Sequence, residues 1–263
     1  MSLSATLLMI PDWQALLVVL AAIVGPSIIG FVIVHRLVPV SVRRTHNEVA
    51  GFVFSVVGVM YGVLLAFVVI VVWEQYSESR MNTRHESSAA VSLQHAMGAY
   101  ADASDSPDLR PALLGYLHEI VDGEFPAMAA LRCPPPVNLA LEAIWQGVQG
   151  LSPTSLRQQV LYGELIGKLN ELERLRAVRL GDAHEELPHV IWLALIAGAV
   201  LTIGFALFLG TENVSAHGVM IAMLAALVGV VFYVIVELDH PFSGAVSIGV
   251  EGFQDIIEMI GEL

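Results

Sequence analysis

Hydrophobic and polar positions along this chain segregate into long blocks. Four runs carry no charged residue: 16–34, 49–73, 190–210 and 218–236. Each is about 19–25 residues long, and a helix needs about 20 residues at a rise of about 1.5 Å to cross the hydrocarbon of a bilayer. The pattern predicts an all-α membrane protein with four transmembrane helices. Residues 1–73 form the first transmembrane hairpin, 188–236 the second, and 237–263 a short acidic tail. Between the hairpins, 74–187 is expected to be an all-helical soluble insert into which the second span continues, because neither proline nor glycine interrupts residues 63–86.

Within 74–187 the apolar positions recur at helical spacing. Ser106 at an N-cap and Pro107 at the first helical position precede a stripe of Leu109, Leu113, Leu117 and Ile120. Val137, Leu141, Ile144, Trp145 and Val148 repeat the pattern more briefly. Leu161, Leu165, Leu169, Leu172 and Leu175 extend it over a longer helix. No alternating strand pattern and no internal repeat occurs.

Composition supports the membrane reading: 56% of the 263 residues are hydrophobic, and the mean hydropathy of +0.72 is too high for a soluble domain of this size. No basic region precedes the first run, so no cleaved signal peptide is expected. The single Cys133 excludes an intrachain disulfide. A net charge of −13 argues against nucleic acid as a partner. Four spans place both termini and the insert on one side. Arg80, Arg84, Arg174, Arg176 and Arg179 near that side, against Arg36, Arg43 and Arg44 on the other, favour a cytoplasmic insert.

The blocks THNEVAGFVFSVVGVMYGVLLAFVVIVVWEQYSE from Thr45, LPHVIWLALIAGAVLTIGFALF from Leu187 and LDHPFSG from Leu238 resemble the bestrophin-like domain family of bacterial membrane proteins. The resemblance covers essentially the whole chain and points to an inner-membrane protein distantly akin to bestrophin ion channels. It implies four spans, cytosolic termini and a homo-oligomeric pore lined by the second span. The chain departs from bestrophins in having only a short segment after its last span, where they carry much of their cytosolic mass.

On the second span, Gly51, Ser55, Gly58, Gly62 and Ala66 fall on one narrow face. Small residues let another helix backbone approach in lipid; the alternative is that they widen a pore, and packing is favoured over pore-lining. About 100° round the helix lie Phe52, Val56, Val63, Phe67 and Ile70, of which Val56, Val63, Phe67 and Ile70 are candidates for a pore constriction. Past Trp73 the large-residue face continues as Glu74 and Glu78, the small-residue face as Arg80 and Arg84. Each is a like-charge i,i+4 pair, costing an isolated helix about 0.2–0.5 kcal/mol. Either they are a solvated surface, or the carboxylates ring a wet vestibule and set selectivity while the arginines face a neighbour. Between 74 and 88 only Tyr76 and Met81 are sizeable apolar side chains, so this stretch is expected to bury almost nothing.

Other motifs weigh less. Thr45-His-Asn-Glu48 is read as a capping box opening the second span, Trp13 and Trp73 as interfacial anchors, and Pro26 as a kink in the first span. Glu237 and Asp239 are weak candidates for a metal site. Two carboxylates are thin for Ca²⁺, and a helix-ending turn at Pro241 and Gly244 is the better reading. His184 and His189 have zinc-like spacing but no cysteine pair accompanies them, and Pro188 between them favours a hydrated linker.

No phosphate loop, nucleophile elbow or His-Glu-x-x-His motif occurs, and no span carries an internal charge, so neither an enzyme nor a proton-coupled transporter is expected. No cofactor is called for; the expected partners are the lipid bilayer, inorganic ions and further copies of the chain. Two functions remain: a homo-oligomeric channel preferring cations, or a membrane scaffold or sensor whose insert binds another protein.

Overall fold

The structure, a computed structural model, describes residues 7–45, 47–102, 108–135 and 138–261. Among these it contains helices and no strand. Ser106, Pro107, Val137 and the His46 of the expected capping box lie outside the described residues. The chain divides into two compact units, Met1–Gln75 with Glu186–Asp239, and Tyr76–Glu185 with His240–Leu263.

The first unit contains α1 (Asp12–Leu37), the short α2 (Val40–Thr45), the start of α3 (Asn47–Ala101), α8 (His189–Leu207) and α9 (Val214–Leu238). Four of these helices, α1, α3, α8 and α9, are long and apolar enough to span a membrane. The chain runs helically through Pro26 within α1. Glycines set how closely these helices approach. A Cβ on Gly198 would fall 2.3 Å from the Tyr61 ring, and one on Gly229 or Gly218 would press on Leu20 or Phe31 at 3.0 and 3.2 Å. Two buried polar side chains bond to backbone carbonyls, as a dry interior favours. The Tyr61 hydroxyl donates to the Leu195 carbonyl at 3.1 Å. His217 donates from Nε2 to the Ala206 carbonyl at 3.0 Å, with its ring edge-on to Phe31.

The start of α3 is held differently from the expected capping box. The Thr45 hydroxyl donates back to the Ser41 carbonyl at 3.0 Å, inside α2. Asn47 instead exchanges two bonds of 2.7 Å with the backbone N–H and C=O of Gly210, tying the α8–α9 turn to the first residue of α3. An amide side chain carries both donor and acceptor, so one residue satisfies both backbone groups of the glycine.

The second unit contains the remainder of α3, α4 (Arg110–Glu119), a π-helical turn (Ile120–Glu124), α5 (Phe125–Ala129), α6 (Leu139–Gln149), α7 (Leu156–Asp182) and α10 (Glu251–Gly261). The leucine stripes pack as their spacing predicts: Leu113, Leu117 and Ile120, Leu141, Ile144 and Val148, and Leu165, Leu169, Leu172 and Leu175 are buried in one core. Helix α7 opens on a capping box between Ser155 and Gln158, and Asn138 caps α6 by accepting from the Leu141 N–H. Phe253, Ile256 and Ile260 of α10 join the same core. The acidic tail therefore also carries an amphipathic helix.

Candidate functional site

Helix α3 runs unbroken for 55 residues and carries the residues singled out on the second span. One stripe is buried: Tyr61, Val68, Val72, Ser79, Thr83, Glu86, Ala90, Leu93, Met97 and Tyr100. Its spacing of three, four or seven is that of a helix keeping one seam towards its neighbours. The other two faces are uncovered by the chain itself. Phe52, Val56, Val63, Phe67 and Ile70 are exposed, Phe52 by 73% and Phe67 by 64%. Apart from the adjoining residues and backbone of the helix itself, nothing lies within 4 Å of where a Cβ would sit on Gly51, Gly58 or Gly62. Ser55 and Ala66 on that face are exposed too, the Ser55 hydroxyl donating to the Gly51 carbonyl at 2.9 Å. The glycines that pack within the chain are thus on other helices.

The expectation that residues 74–88 bury almost nothing does not hold: Ser79, Thr83 and Glu86 are buried. Small hydroxyls can be buried cheaply when they bond to their own helix, and Thr83 donates to the Ser79 carbonyl at 2.9 Å. Glu86 is buried because it is paired. Arg179 of α7 donates from Nε to Glu86 Oε2 and from Nη2 to Glu124 Oε2, both at 2.6 Å. Arg176 donates from Nε to Glu124 Oε1 at 2.8 Å, and Asn138 donates to the same oxygen at 2.9 Å. The Tyr116 hydroxyl donates to Glu86 at 3.1 Å, and Phe125 places its ring 5.1 Å beneath the Arg179 guanidinium. The π-helical turn brings Glu124 into this cluster at its last residue. Two arginines and two glutamates make it neutral, which a buried charge cluster requires.

Titration follows the same geometry. Burial pushes the Glu124 carboxyl up, but the Arg179 charge and the bonds from Arg176, Arg179 and Asn138 outweigh it and hold Glu124 below the usual carboxylate range. Burial disfavours the Arg179 charge, yet Glu86 and Glu124 hold its pKa above the ordinary value. Burial, then the charge of Glu86, push the Tyr116 hydroxyl well up. The cluster is built to stay charged, and its chemistry is attachment: it ties α3 to α7 and to the π-helical turn.

Sequence reasoning missed this cluster, although a signal was present. Leu165, Leu169, Leu172, Arg176 and Arg179 are separated by four, three, four and three residues. The two arginines therefore continue the leucine stripe of α7, just as Glu86 continues the stripe of Val68 and Val72 on α3. Opposite charges at core positions of two helices predict each other.

Glu74 and Glu78 are exposed, as are Arg80 and Arg84, but the two pairs have different surroundings. Arg80 and Arg84 line an open cavity whose other wall comes from residues 247–253 of the same chain. Further along, Asn82 donates to Asp182 at 2.9 Å. Burial, together with the charges of Glu78 and Glu185, raises the Asp182 carboxyl against that bond.

At the end of α9, Glu237 and Asp239 are buried. Asp239 accepts from the Leu187 N–H at 2.9 Å. The following turn closes with the Ile248 N–H on the Pro241 carbonyl at 2.8 Å and Gly244 at a φ of 76°, a conformation glycine adopts without strain. Cys133 lies against His184 Nε2. Among the described residues, no group of three or more His, Cys, Asp or Glu is placed to hold a metal ion.

Neither a curated protein nor a solved structure matches the chain significantly. A family model does: the bestrophin-like domain matches residues 21–253. Four apolar helices and this match make the chain a membrane protein, and it belongs to the bestrophin-like family.

Proposed function

We propose that the protein is a homo-oligomeric ion channel in which α3 lines the pore. The observation that carries the reading is the uncovered large-residue face of α3. Phe52, Val56, Val63, Phe67 and Ile70 stand exposed along the span, and Glu74 and Glu78 continue their face beyond it. The buried stripe of α3 holds the helix to its own chain and leaves that face to water on a pore axis. Val56, Val63, Phe67 and Ile70 form an apolar constriction and the carboxylates ring its mouth, which favours cations. The face of Gly51, Ser55, Gly58, Gly62 and Ala66 meets a neighbouring copy, since small residues permit close helix approach in lipid. The protein sits in the bacterial inner membrane with its termini and the helical insert in the cytoplasm, and Glu74 and Glu78 border a polar vestibule on that side.

The test is planar-bilayer recording of purified protein in asymmetric salt. Wild type is expected to show a reversal potential on the cation side, and Glu74→Gln/Glu78→Gln to move it towards zero. An unaltered potential in that variant, with a change in Arg80→Gln/Arg84→Gln, places the small-residue face on the pore instead. Absence of current from intact protein returns the scaffold reading.

A further inference from the structure

In the second unit, α3 and the segment 247–253 border an open cavity of about 410 Å³. That volume falls in the range of small-molecule sites, about 300–1,000 Å³. From α3, Arg80 and Arg84 line it; from the opposite wall, Ser247 and Glu251 do. Among the described residues neither guanidinium has a carboxylate within ion-pair distance. The other arginines of this unit that α7 presents to its core are each matched to a glutamate. Two like charges one helical turn apart repel, and here both border one cavity. The hydroxyl of Ser87 on the same wall is already spent on the Arg84 carbonyl at 2.9 Å, and that of Thr83 on Ser79. The cationic donors that line the cavity are the two guanidinium forks, whose planar geometry suits the oxygens of a phosphate.

We propose that this cavity binds a small organic phosphate, its phosphate held between Arg80 and Arg84. A phosphate monoester carries a charge of about −1.5 to −2 near neutral pH, which the two arginines balance. Glu251 fixes the orientation, because a carboxylate repels the phosphate and accepts from hydroxyl or amine groups at the ligand's other end. Inorganic phosphate alone leaves most of the space unfilled. Phosphate oxygens for the two forks are offered by a soluble monoester and, with a single negative charge, by the phosphodiester of a phospholipid headgroup. The site stands whether or not α3 lines a pore, since it depends on binding alone.

The test is calorimetric titration of the full-length protein, in a neutral detergent, with glycerol 3-phosphate and separately with dihexanoylphosphatidylglycerol. Saturable binding of glycerol 3-phosphate assigns the site to a soluble ester, and binding of the lipid alone assigns it to a headgroup. In either case Arg80→Gln and Arg84→Gln, both exposed positions, are expected to weaken binding about tenfold or more. Ser247→Trp fills the cavity from the opposite wall and abolishes it. Arg157→Gln, an exposed arginine at the start of α7, leaves binding unchanged. No saturable binding of either probe, or binding that survives the Arg80, Arg84 and Ser247 substitutions, overturns the proposal.

Discussion

In its first half α3 meets its own chain through Tyr61, Val68 and Val72, set among side chains that are apolar on every face. In its second half the same register carries Ser79, Thr83 and Glu86 before apolar residues resume at Ala90 and Leu93. The seam is one; its chemistry changes from ring-on-glycine packing to a neutral cluster of charges. In lipid the apolar effect cannot select a face, because the surroundings are as oily as the partner, so close approach at Gly198 decides. In the second unit burial costs a polar group its water, and Glu86 occupies the seam with its carboxylate bonded to Arg179 and Tyr116.

Removing one member of the charge cluster is the severest way to break the polar half. Arg179→Ala leaves Glu86 and part of Glu124 buried without their cation, and Glu86→Ala does the reverse. Each is expected to destabilise the protein by about 3–5 kcal/mol. The double change Glu86→Leu/Arg179→Met leaves the Glu124–Arg176 pair in place and is expected to cost less than either single one. Urea unfolding followed by circular dichroism measures all three. Equal losses in the singles and the double mean that packing volume, rather than charge pairing, holds the seam.

The next largest effect belongs to the apolar half. Gly198→Ala drives a methyl group into the Tyr61 ring and is expected to cost about 1–3 kcal/mol, as overpacking does. Gly62→Ala meets nothing within 4 Å and is expected to leave the fold of the chain unchanged. Thermal unfolding of detergent-solubilised protein separates them. The mass of the solubilised oligomer adds an independent reading: Gly58→Leu or Gly62→Leu lowers it if that face meets a neighbouring copy.

These two regions also explain what was legible beforehand. The spans were readable because length and the absence of charge suffice to mark them. The leucine helices of the second unit were readable because their stripes stand out against polar faces. The seam through Ser79, Thr83 and Glu86 escaped because hydrophobicity was taken as the mark of burial, whereas the register of three and four carried the information. Which glycines pack within the chain could not be read at all. Gly58 and Gly198 sit in equally apolar surroundings, and only the position of the Tyr61 ring distinguishes them. The cavity beside Arg80 and Arg84 was hidden too, because its opposite wall comes from residues more than 160 positions further on.

Acid is expected to act on the polar half alone, and more gently than the substitutions. Glu124 has its folded-state pKa lowered. Its contribution to stability is therefore complete above the unfolded carboxyl value, about 4.3, and is lost as pH falls through the lower folded value. Asp182 has its folded pKa raised, so its contribution is present below the unfolded value, about 3.9, and is lost as pH rises through the folded one. Urea midpoints between about pH 3 and 7 should fall on the acid side in wild type. The fall should flatten in Glu124→Gln and steepen in Asp182→Asn, where the opposing contribution is gone. An acid limb unchanged in Glu124→Gln assigns the loss to other carboxylates.

The smallest effect on stability is expected at Glu74 and Glu78, where the comparison turns from fold to function. Both lie on the exposed side of α3 at the junction of its two halves, outside the buried seam. Surface changes of this kind stay within about 0.5 kcal/mol. Here the like-charge spacing, one helical turn, means that Glu74→Gln/Glu78→Gln relieves a small repulsion rather than removing a support. The variant should unfold at the wild-type urea concentration while shifting the reversal potential in the bilayer experiment. A change in function without a change in stability separates residues that meet ions from residues that hold the seam. A loss of stability comparable to that of Glu86→Ala would instead make the carboxylates part of the packing, and the face they share with Phe67 and Ile70 would then be covered rather than wet.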